Sequence, residues 1–320
     1  MEWKGKWIGP AQSMGDVCPV FAREFSKGDF PGKEVESVQL QVTALGVYEA
    51  QLNGKRIGDY VLAPGWTSYE TRHQYQCYDI TELVEDRNRL EITVGKGWYR
   101  SPVPGWITEE GKAQRAAIPA GLIAEIKITF TDTTTAVIPT DETWQAAESR
   151  IRFSEIYDGE VYDASFEVSD YQPVVLLERT TGNLIPQQGE KITEHEYVKA
   201  ARCFTAPNGE VVVDFGQEVT GYIQFTVDAK AGEKVEISHG EVLDKDGNFY
   251  NANYRSAKSK IYYTCCDGVQ TYKPKMTFFG FRYIRLDQFP GTPCADQFYA
   301  VAVHSDMKRT GRLRSSNPLL

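Results

Sequence analysis

Residues 122–130, Leu-Ile-Ala-Glu-Ile-Lys-Ile-Thr-Phe, carry apolar side chains at every second position and polar ones at 125, 127 and 129. This period of two predicts a strand that buries one face and leaves the other in solvent. The same alternation occurs at 38–42, 90–94 and 211–215, with turn residues between the apolar runs. Helical periodicity is almost absent, apart from one short turn expected at 79–84. The sequence therefore predicts an all-β protein of two antiparallel, jelly-roll-like β-sandwich domains.

The length of 320 residues is sufficient for two domains. The alternation breaks at 169–173, Ser-Asp-Tyr-Gln-Pro, which indicates a boundary near residue 170. We expect an N-terminal sandwich over 1–170, a second sandwich over 171–310, and the start of a linker or helix over 311–320. Residues 316–318, Ser-Asn-Pro, suit the cap and first turn of a helix. A cap here indicates a larger protein cut at a domain boundary, and the alternative is a frayed natural C-terminus.

Charge and cysteine usage narrow the classes of partner. A net charge of -9 and a pI near 5.2 make nucleic acid a poor partner, because an acidic surface repels phosphate. No apolar run approaches the ~20 residues of a membrane span, and residues 1–7 lack the apolar core of a signal peptide. The cysteines form no Cys-x-x-Cys pair, which favours reduced thiols. We expect a cytoplasmic protein without membrane partners, with trimming of a longer N-terminus as the alternative.

Motifs of several common chemistries are absent from the sequence, which has no GxGxxG, P-loop, GxSxG or HExxH pattern. Residues 244–248, Asp-Lys-Asp-Gly-Asn, begin like a calcium loop, but the later acidic ligand is missing, so a hairpin turn is the better interpretation. His239 and Glu241 share one face of a predicted strand. They fit a proton-transfer pair or, more simply, a polar pair on a strand.

Aromatic residues cluster in loops rich in glycine and proline. Aromatic faces stack on the apolar C–H faces of sugars, and the loops of a rigid sandwich are where binding residues gather. Five aromatic residues and one asparagine are the candidates for a carbohydrate-binding platform. Trp66 and Tyr69 follow a Pro-Gly pair, Trp98, Tyr99 and Trp106 lie in or after a Gly-Lys-Gly loop, and Asn53 begins an Asn-Gly turn. The alternative is that these rings close the ends of the sandwich as core.

The densest acidic cluster lies at 155–163, Glu-Ile-Tyr-Asp-Gly-Glu-Val-Tyr-Asp. Hydrolysis of a glycosidic bond needs two carboxyl groups about 5–10 Å apart. Asp158 and the glycine after it form a turn sequence, so we prefer a hairpin with solvated acids over a catalytic pair. A role at an interface or in shaping a cleft stays open for Asp158, Glu160 and Asp163.

Several phrases, taken in order, resemble bacterial α-L-rhamnosidases, which are inverting glycoside hydrolases. The matching phrases are LNGKRIGD at 52–59, LAPGWTSY at 62–69, YDIT at 78–81, GWY at 97–99, DGEVYDA at 158–164, DFGQ at 214–217, HGEVL at 239–243, FGFRY at 279–283 and HSD at 304–306. Each phrase alone is weak, but the ordered set spans nearly the whole chain. The resemblance implies β-sandwich modules first, then an (α/α)6 barrel with the catalytic acid and base, and then a small β-domain.

This resemblance implies that the catalytic carboxylates lie outside the chain, and we expect no catalytic residue within it. The leading hypothesis is a non-catalytic N-terminal portion of a glycoside hydrolase that cleaves terminal α-L-rhamnosides. Its partners would be L-rhamnose-containing glycosides and the catalytic domain of the same protein. In some family members the first sandwich is a calcium-assisted rhamnose-binding module. The Asn53 turn and the Trp98 loop match that module, but a full set of calcium ligands does not, and Lys96 would oppose a cation.

The sequence therefore assigns no metal ligands, and we expect no required cofactor, with calcium left open because its ligand set is incomplete. Two further hypotheses stay open beside the leading one. The chain could be a free-standing carbohydrate-binding sandwich, for which the clustered aromatics argue. Alternatively, it could be a purely structural module for docking or dimerisation, which leaves homo-oligomerisation open.

Overall fold

The structure is a computed structural model that describes residues 3–102 and 108–319. Strands make up almost all of its regular structure. The first half contains β1 (Ile8–Pro10), β2 (Pro19–Ser26), β3 (Val35–Ala44), β4 (Val47–Leu52), β5 (Lys55–Arg56), β6 (His73–Asp79), β7 (Arg87–Gly95), β8 (Leu122–Phe130), β9 (Thr135–Pro139), β10 (Gln145–Glu148), β11 (Ile151–Glu155) and β12 (Gly159–Asp163).

The second half contains β13 (Gln172–Leu176), β14 (Leu184–Pro186), β15 (Ile192–Lys199), β16 (Arg202–Thr205), β17 (Val211–Ala229), β18 (Lys234–Gly240), β19 (Val242–Leu243), β20 (Phe249–Tyr250), β21 (Lys260–Thr264), β22 (Gly268–Tyr272), β23 (Phe279–Gln288) and β24 (Phe298–Ser305). Two short α-helices, α1 (Gly97–Arg100) and α2 (Glu109–Ala116), lie in one connection of the first half. Single 3₁₀ turns occur at Lys27–Asp29, Thr81–Leu83, Ala252–Tyr254 and Ala295–Gln297.

The first sheet has 12 strands in the order β14-β6-β3-β8-β1-β13-β10-β2-β7-β4-β5, with β9 paired to β8. Strand β13 pairs with β1 through one end and with β10 through the other, so the sheet curls back on itself there. The apolar faces of the two halves meet in one core that includes Phe21, Leu40, Ile92, Ile126 and Trp144, all fully buried. The alternation seen in β8 places its even-numbered side chains in this core.

The second sheet has 10 strands in the order β11-β12-β21-β18-β23-β17-β24-β15, with β16 and β22 also paired to β17. Strand β17 is 19 residues long, and its register against β23 shifts between Asp214 and Val219. This irregularity bends the strand so that the sheet encloses its own core, which includes Phe225, Phe281 and Phe298. The predicted all-β class with β-sandwich packing is confirmed. Two pairings, β14 with β6 and β12 with β21, are parallel, because long crossovers rather than hairpins join those strands.

The two sheets exchange strands around residue 170, where the sequence predicts a domain boundary. Strand β10 belongs to the first sheet, β11 and β12 to the second, β13 and β14 to the first again, and β15 to the second. The hairpin of β11 and β12 thus extends the second sheet, although it precedes the predicted boundary. Backbone pairing along β21 holds it there.

A seam of apolar side chains joins the two sheets. Val47 and Val61 from the first sheet's side meet Met276, Val301 and Val303 from the second in a buried cluster. No helix within residues 3–102 and 108–319 has the length and apolar character needed to cross a membrane.

Local signals explain which helical elements the sequence predicts. The turn expected at 79–84 is confirmed as Thr81–Leu83, and Asp79 Oδ1 accepts a hydrogen bond from Thr81 N at 3.0 Å. Helix α2 is missed by sequence reasoning, because it carries no apolar stripe. Its cap is ordinary, since Thr108 Oγ1 accepts a hydrogen bond from Gly111 N at 3.1 Å.

Candidate functional site

Four of the predicted aromatic residues converge on one surface cavity, which we call the aromatic groove: Trp66, Tyr69, Trp98 and Tyr99. The Trp66 and Trp98 rings lie nearly parallel, with centroids 6.3 Å apart and planes 13° apart. Trp66 remains 62% exposed, whereas a core residue of this size would be almost fully buried. Tyr69 and Tyr99 meet edge to face, with ring centroids 4.9 Å apart. The cavity measures about 810 Å³, which is ample for a small ligand.

Backbone geometry holds the two loops of the aromatic groove close together. Gly65, in the loop that precedes Trp66, has a φ of +84°, a conformation that side chains beyond glycine rarely adopt. Gly97, at the start of α1, has a φ of +51° and lies so close to Val47 that a Cβ would approach its Cγ1 to 2.6 Å. Tyr69 Oη donates a hydrogen bond to the Gly65 carbonyl at 3.0 Å. The rings are therefore presented by a fixed backbone.

A buried histidine supports the groove from behind. His73 packs its ring against Tyr69 and Trp7 at centroid distances of 5.3 and 5.4 Å. One of its ring nitrogens lies 3.0 Å from the Ala44 carbonyl. Burial lowers the pKa of His73 to about 4, so the imidazole is neutral at physiological pH. A neutral aromatic ring suits this packing position better than a cation.

Polar groups line the rim of the groove. Arg115 of α2 donates hydrogen bonds from Nη1 to the carbonyls of Ser101 and Trp98, at 3.2 and 3.4 Å. Gln114 and Glu70 also line the cavity. Apolar ring faces with a few polar groups at the edge are typical of a site for a small ligand that carries hydroxyl groups.

The other two members of the predicted platform are not part of this arrangement. Trp106 lies outside the described residues. Asn53 lines a different cavity, beside Asn88 and Arg89. Its Oδ1 accepts a hydrogen bond from Arg89 N at 2.9 Å, and its Nδ2 donates to Asn88 Oδ1 at 3.1 Å and to the Leu83 carbonyl at 3.2 Å. The Asn53 amide thus fixes its own turn, and only the loops after β5 and β7 build the groove.

The three candidate acids at 155–163 have separate structural contacts. Asp158 Oδ2 pairs with Lys258 Nζ at 2.9 Å. Asp163 Oδ1 accepts hydrogen bonds from the hydroxyl and amide of Ser165 at 2.6 and 3.0 Å.

Glu160 is almost fully buried and accepts hydrogen bonds from the Tyr272 hydroxyl, from Met276 N at 3.0 Å and from Lys275 N. Burial raises the pKa of Glu160. This carboxylate ties the β12 hairpin to the segment that forms the seam between the sheets.

The side chains in the described part of the chain give little support for a metal-binding site. No group of three or more His, Cys, Asp or Glu side chains is arranged there to hold a metal ion. Asp244 closes the 244–248 hairpin by accepting hydrogen bonds from Asn248 N and Asp246 N at 2.8 and 2.9 Å. Lys96 pairs with Asp16 and lies over the Phe153 ring at 4.6 Å. All six cysteines lie in described segments and are free thiols.

Sequence reasoning missed a second polar cavity, on the second sheet. Glu241, Asn253 and Tyr254 line it together with Phe278 and Gly280. His239, which the sequence places beside Glu241, is instead fully buried, and its Nδ1 lies 2.9 Å from the Ser259 carbonyl. The phrase HGEVL at 239–243 belongs to the family pattern, but no local signal in the sequence predicts that Asn253 faces Glu241.

Comparison with known proteins agrees with the architecture. Residues 33–196 match the α-L-rhamnosidase N-terminal domain, and residues 204–304 match the bacterial α-L-rhamnosidase concanavalin-like domain. An α-L-rhamnosidase of Streptomyces avermitilis is 36% identical over 326 residues, covering 97% of this chain and 31% of that protein. One from the Alteromonas strain LOR is 32% identical, covering all of this chain and 36% of that protein. The chain thus spans about a third of the length of these curated relatives.

Solved structures give the same result. The crystal structure of native α-L-rhamnosidase from Aspergillus terreus matches with a TM-score of 0.89 and 32% identity, over 99% of this chain and 38% of that chain. The S. avermitilis α-L-rhamnosidase, complexed with L-rhamnose, matches with a TM-score of 0.82 and 32% identity, over 91% of this chain and 29% of that chain. Fold and matches together define a β-sandwich region of a glycoside hydrolase. The chain belongs to the α-L-rhamnosidase family and corresponds to its N-terminal portion, as the sequence predicts.

Proposed function

We propose that this chain is the non-catalytic N-terminal part of an enzyme that hydrolyses terminal α-L-rhamnosides, and that its aromatic groove binds a sugar of the substrate. The observation that carries the binding role is the exposed Trp66 ring, which lies nearly parallel to the half-buried Trp98 ring at a cavity of about 810 Å³. L-Rhamnose is a deoxy sugar with a methyl group, so one side of it is apolar enough to lie on an indole face. Its hydroxyls would face the polar rim of Arg115, Gln114 and Glu70.

The proposed division of labour places the hydrolytic carboxylates elsewhere in the whole protein. The candidate acids of this chain have structural contacts: Asp158 pairs with Lys258, and Glu160 is buried under Tyr272. Hydrolysis with inversion needs two carboxyl groups that face a common substrate from opposite sides. Supporting the catalytic domain would then be the second role of the two sandwiches.

Titration of the 320-residue chain with L-rhamnose, followed by tryptophan fluorescence and calorimetry with and without calcium, tests the binding role. We expect saturable binding with a Kd on the order of 1 mM, typical of a small ligand held by stacking and a few hydrogen bonds. Trp66→Ala should abolish it, and Tyr250→Ala is the matched control because Tyr250 is exposed but lines neither cavity. No saturation by wild type, or equal binding by the Trp66→Ala variant, would contradict the groove as a sugar site.

An aryl α-L-rhamnoside tests the non-catalytic assignment. The chain alone should release no aryl alcohol above the buffer rate. Release that is proportional to chain concentration in independent preparations would place catalytic groups within these residues and overturn the proposal.

A further inference from the structure

A cavity of about 790 Å³ lies on the second sheet, beside the 253–257 segment and the start of β23. Its walls combine aromatic rings, from Tyr157, Tyr254 and Phe278, with polar groups from Glu241 and Asn253. Tyr157 is 42% exposed, so part of the aromatic wall is open to solvent. Ring faces beside a few hydrogen-bonding groups resemble the composition of the aromatic groove, although the polar groups here are different.

The polar side of this cavity is held in place by hydrogen bonds. Asn253 Nδ2 donates to Glu241 Oε2 at 2.9 Å, which orients that carboxylate and leaves Oε1 free to accept. Tyr254 Oη donates to the Gly280 carbonyl at 2.7 Å, so the ring stands fixed against the floor. The free acceptor atoms are therefore preorganised for a ligand that donates hydrogen bonds.

A second carboxylate faces Glu241 across a bare stretch of backbone. Glu218 Oε1 and Glu241 Oε1 each lie 3.8 Å from the position that a Cβ on Gly280 would occupy. Glycine at 280 therefore leaves open the space between the two carboxylates. Burial first, and then the nearby charge of Glu241, raise the pKa of Glu218. Among residues 3–102 and 108–319, neither acid takes part in a salt bridge.

The cavity also adjoins the aromatic groove. Phe278, in its wall, packs against Trp98 with ring centroids 6.2 Å apart. Trp98 in turn stacks with Trp66, so a row of three rings runs from the groove on the first sheet to the cavity on the second. A ligand chain that rests on this row would find aromatic faces at one end and carboxylate acceptors at the other.

We propose that this cavity is a second sugar-binding subsite, for a neutral pyranose residue of a glycan. The sugar hydroxyls donate to Glu241 and Glu218, and its apolar face rests on Tyr157 or Phe278. Neighbouring hydroxyls of a pyranose suit two carboxylates that face a common space. The subsite needs no contribution from Trp66, so binding in this cavity can be tested separately from binding in the aromatic groove.

Nuclear magnetic resonance on the ¹⁵N-labelled 320-residue chain tests the subsite. The reporters are the Gly280 amide and the Asn253 side-chain amide for the cavity, and the indole N–H of Trp66 for the groove. The probes are L-rhamnose and the neutral disaccharide rutinose. We expect rutinose to shift the cavity reporters saturably.

Variants separate the two sites. Glu241→Gln should weaken the response of the cavity reporters about tenfold, because a charged carboxylate acceptor is replaced by a neutral amide. Glu196→Gln, an exposed acid on β15, is the matched control and should behave as wild type. Trp66→Ala removes the groove reporter itself and should leave the response of the cavity reporters unchanged. Cavity reporters that do not move with either neutral sugar, or that move equally in the Glu241→Gln variant, would overturn the second subsite whatever the groove does.

Discussion

Removal of the buried Glu160 carboxylate should destabilise the protein strongly. This side chain is 1% exposed and faces the Tyr272 hydroxyl and the backbone amides of Lys275 and Met276. In a Glu160→Ala variant all three donors lose their acceptor. An unsatisfied buried donor costs about 1–3 kcal/mol, so we expect a loss of about 3–5 kcal/mol in the free energy of unfolding. Glu160→Gln keeps one acceptor oxygen in the same volume and should cost about 1–2 kcal/mol.

Urea unfolding followed by tryptophan fluorescence and by circular dichroism measures these losses. Glu196→Ala is the matched control, because Glu196 is exposed and should change stability by less than about 0.5 kcal/mol. Two transitions, if the sheets unfold separately, would be fitted separately. The transition that reports β12 and its neighbours should carry the loss.

The pH dependence gives an independent check on the same carboxyl group. Burial raises the pKa of Glu160 above its ordinary value of 4.5, so the folded state holds a proton that the unfolded state has already released. Protonation of Glu160 therefore adds stability that is fully present below pH 4.5, and this increment is lost as pH rises through the raised pKa. The Glu160→Gln variant should lack this decline. A Glu160→Ala variant that is as stable as Glu196→Ala and has an unchanged pH profile would refute the conclusion that the buried Glu160 side chain stabilises the fold through its hydrogen bonds.

Three further predictions concern the fold. Burial lowers the pKa of both His239 and His73 from 6.5 to about 4, so stability should fall as pH drops between those values, and His239→Gln should remove about half of that slope in urea titrations. Gly159→Ala should lower the free energy of unfolding by at least about 3 kcal/mol in thermal or urea unfolding. The residue has a φ of +110°, and an added Cβ would lie 1.8 Å from a carbonyl oxygen of β21. The control is Gly268→Ala, where the Cβ would enter open space and the loss should be about 1 kcal/mol. Lys275→Met should lower the free energy of unfolding by about 1–3 kcal/mol, because Glu49, which pairs with Lys275 at 2.6 Å across the seam, is left without a cation. A double-mutant cycle with Glu49→Gln should show that the two side chains are energetically coupled.

Sequence reasoning was most successful where the signal is local. The alternation at 122–130 predicted β8, and the Asp79 turn was placed correctly. It was least successful for contacts between distant segments. Asn53 was grouped with the aromatic residues, but it lines another cavity, and Glu160 looked like a solvated turn acid, although it is buried. A turn sequence reveals the local chain direction and does not reveal which distant strand will cover it.

The sequence by itself determined the all-β class and, through the order of its phrases, the family. Strand periodicity is a property of neighbouring residues, since alternate side chains of any strand point to opposite faces. Only the tertiary structure decided that β11 and β12 extend the second sheet, that the Trp66 and Trp98 loops meet, and that Glu218 and Glu241 both approach Gly280. These features depend on the order in which strands pair, and pairing is fixed by burial and backbone hydrogen bonds between segments far apart in the chain.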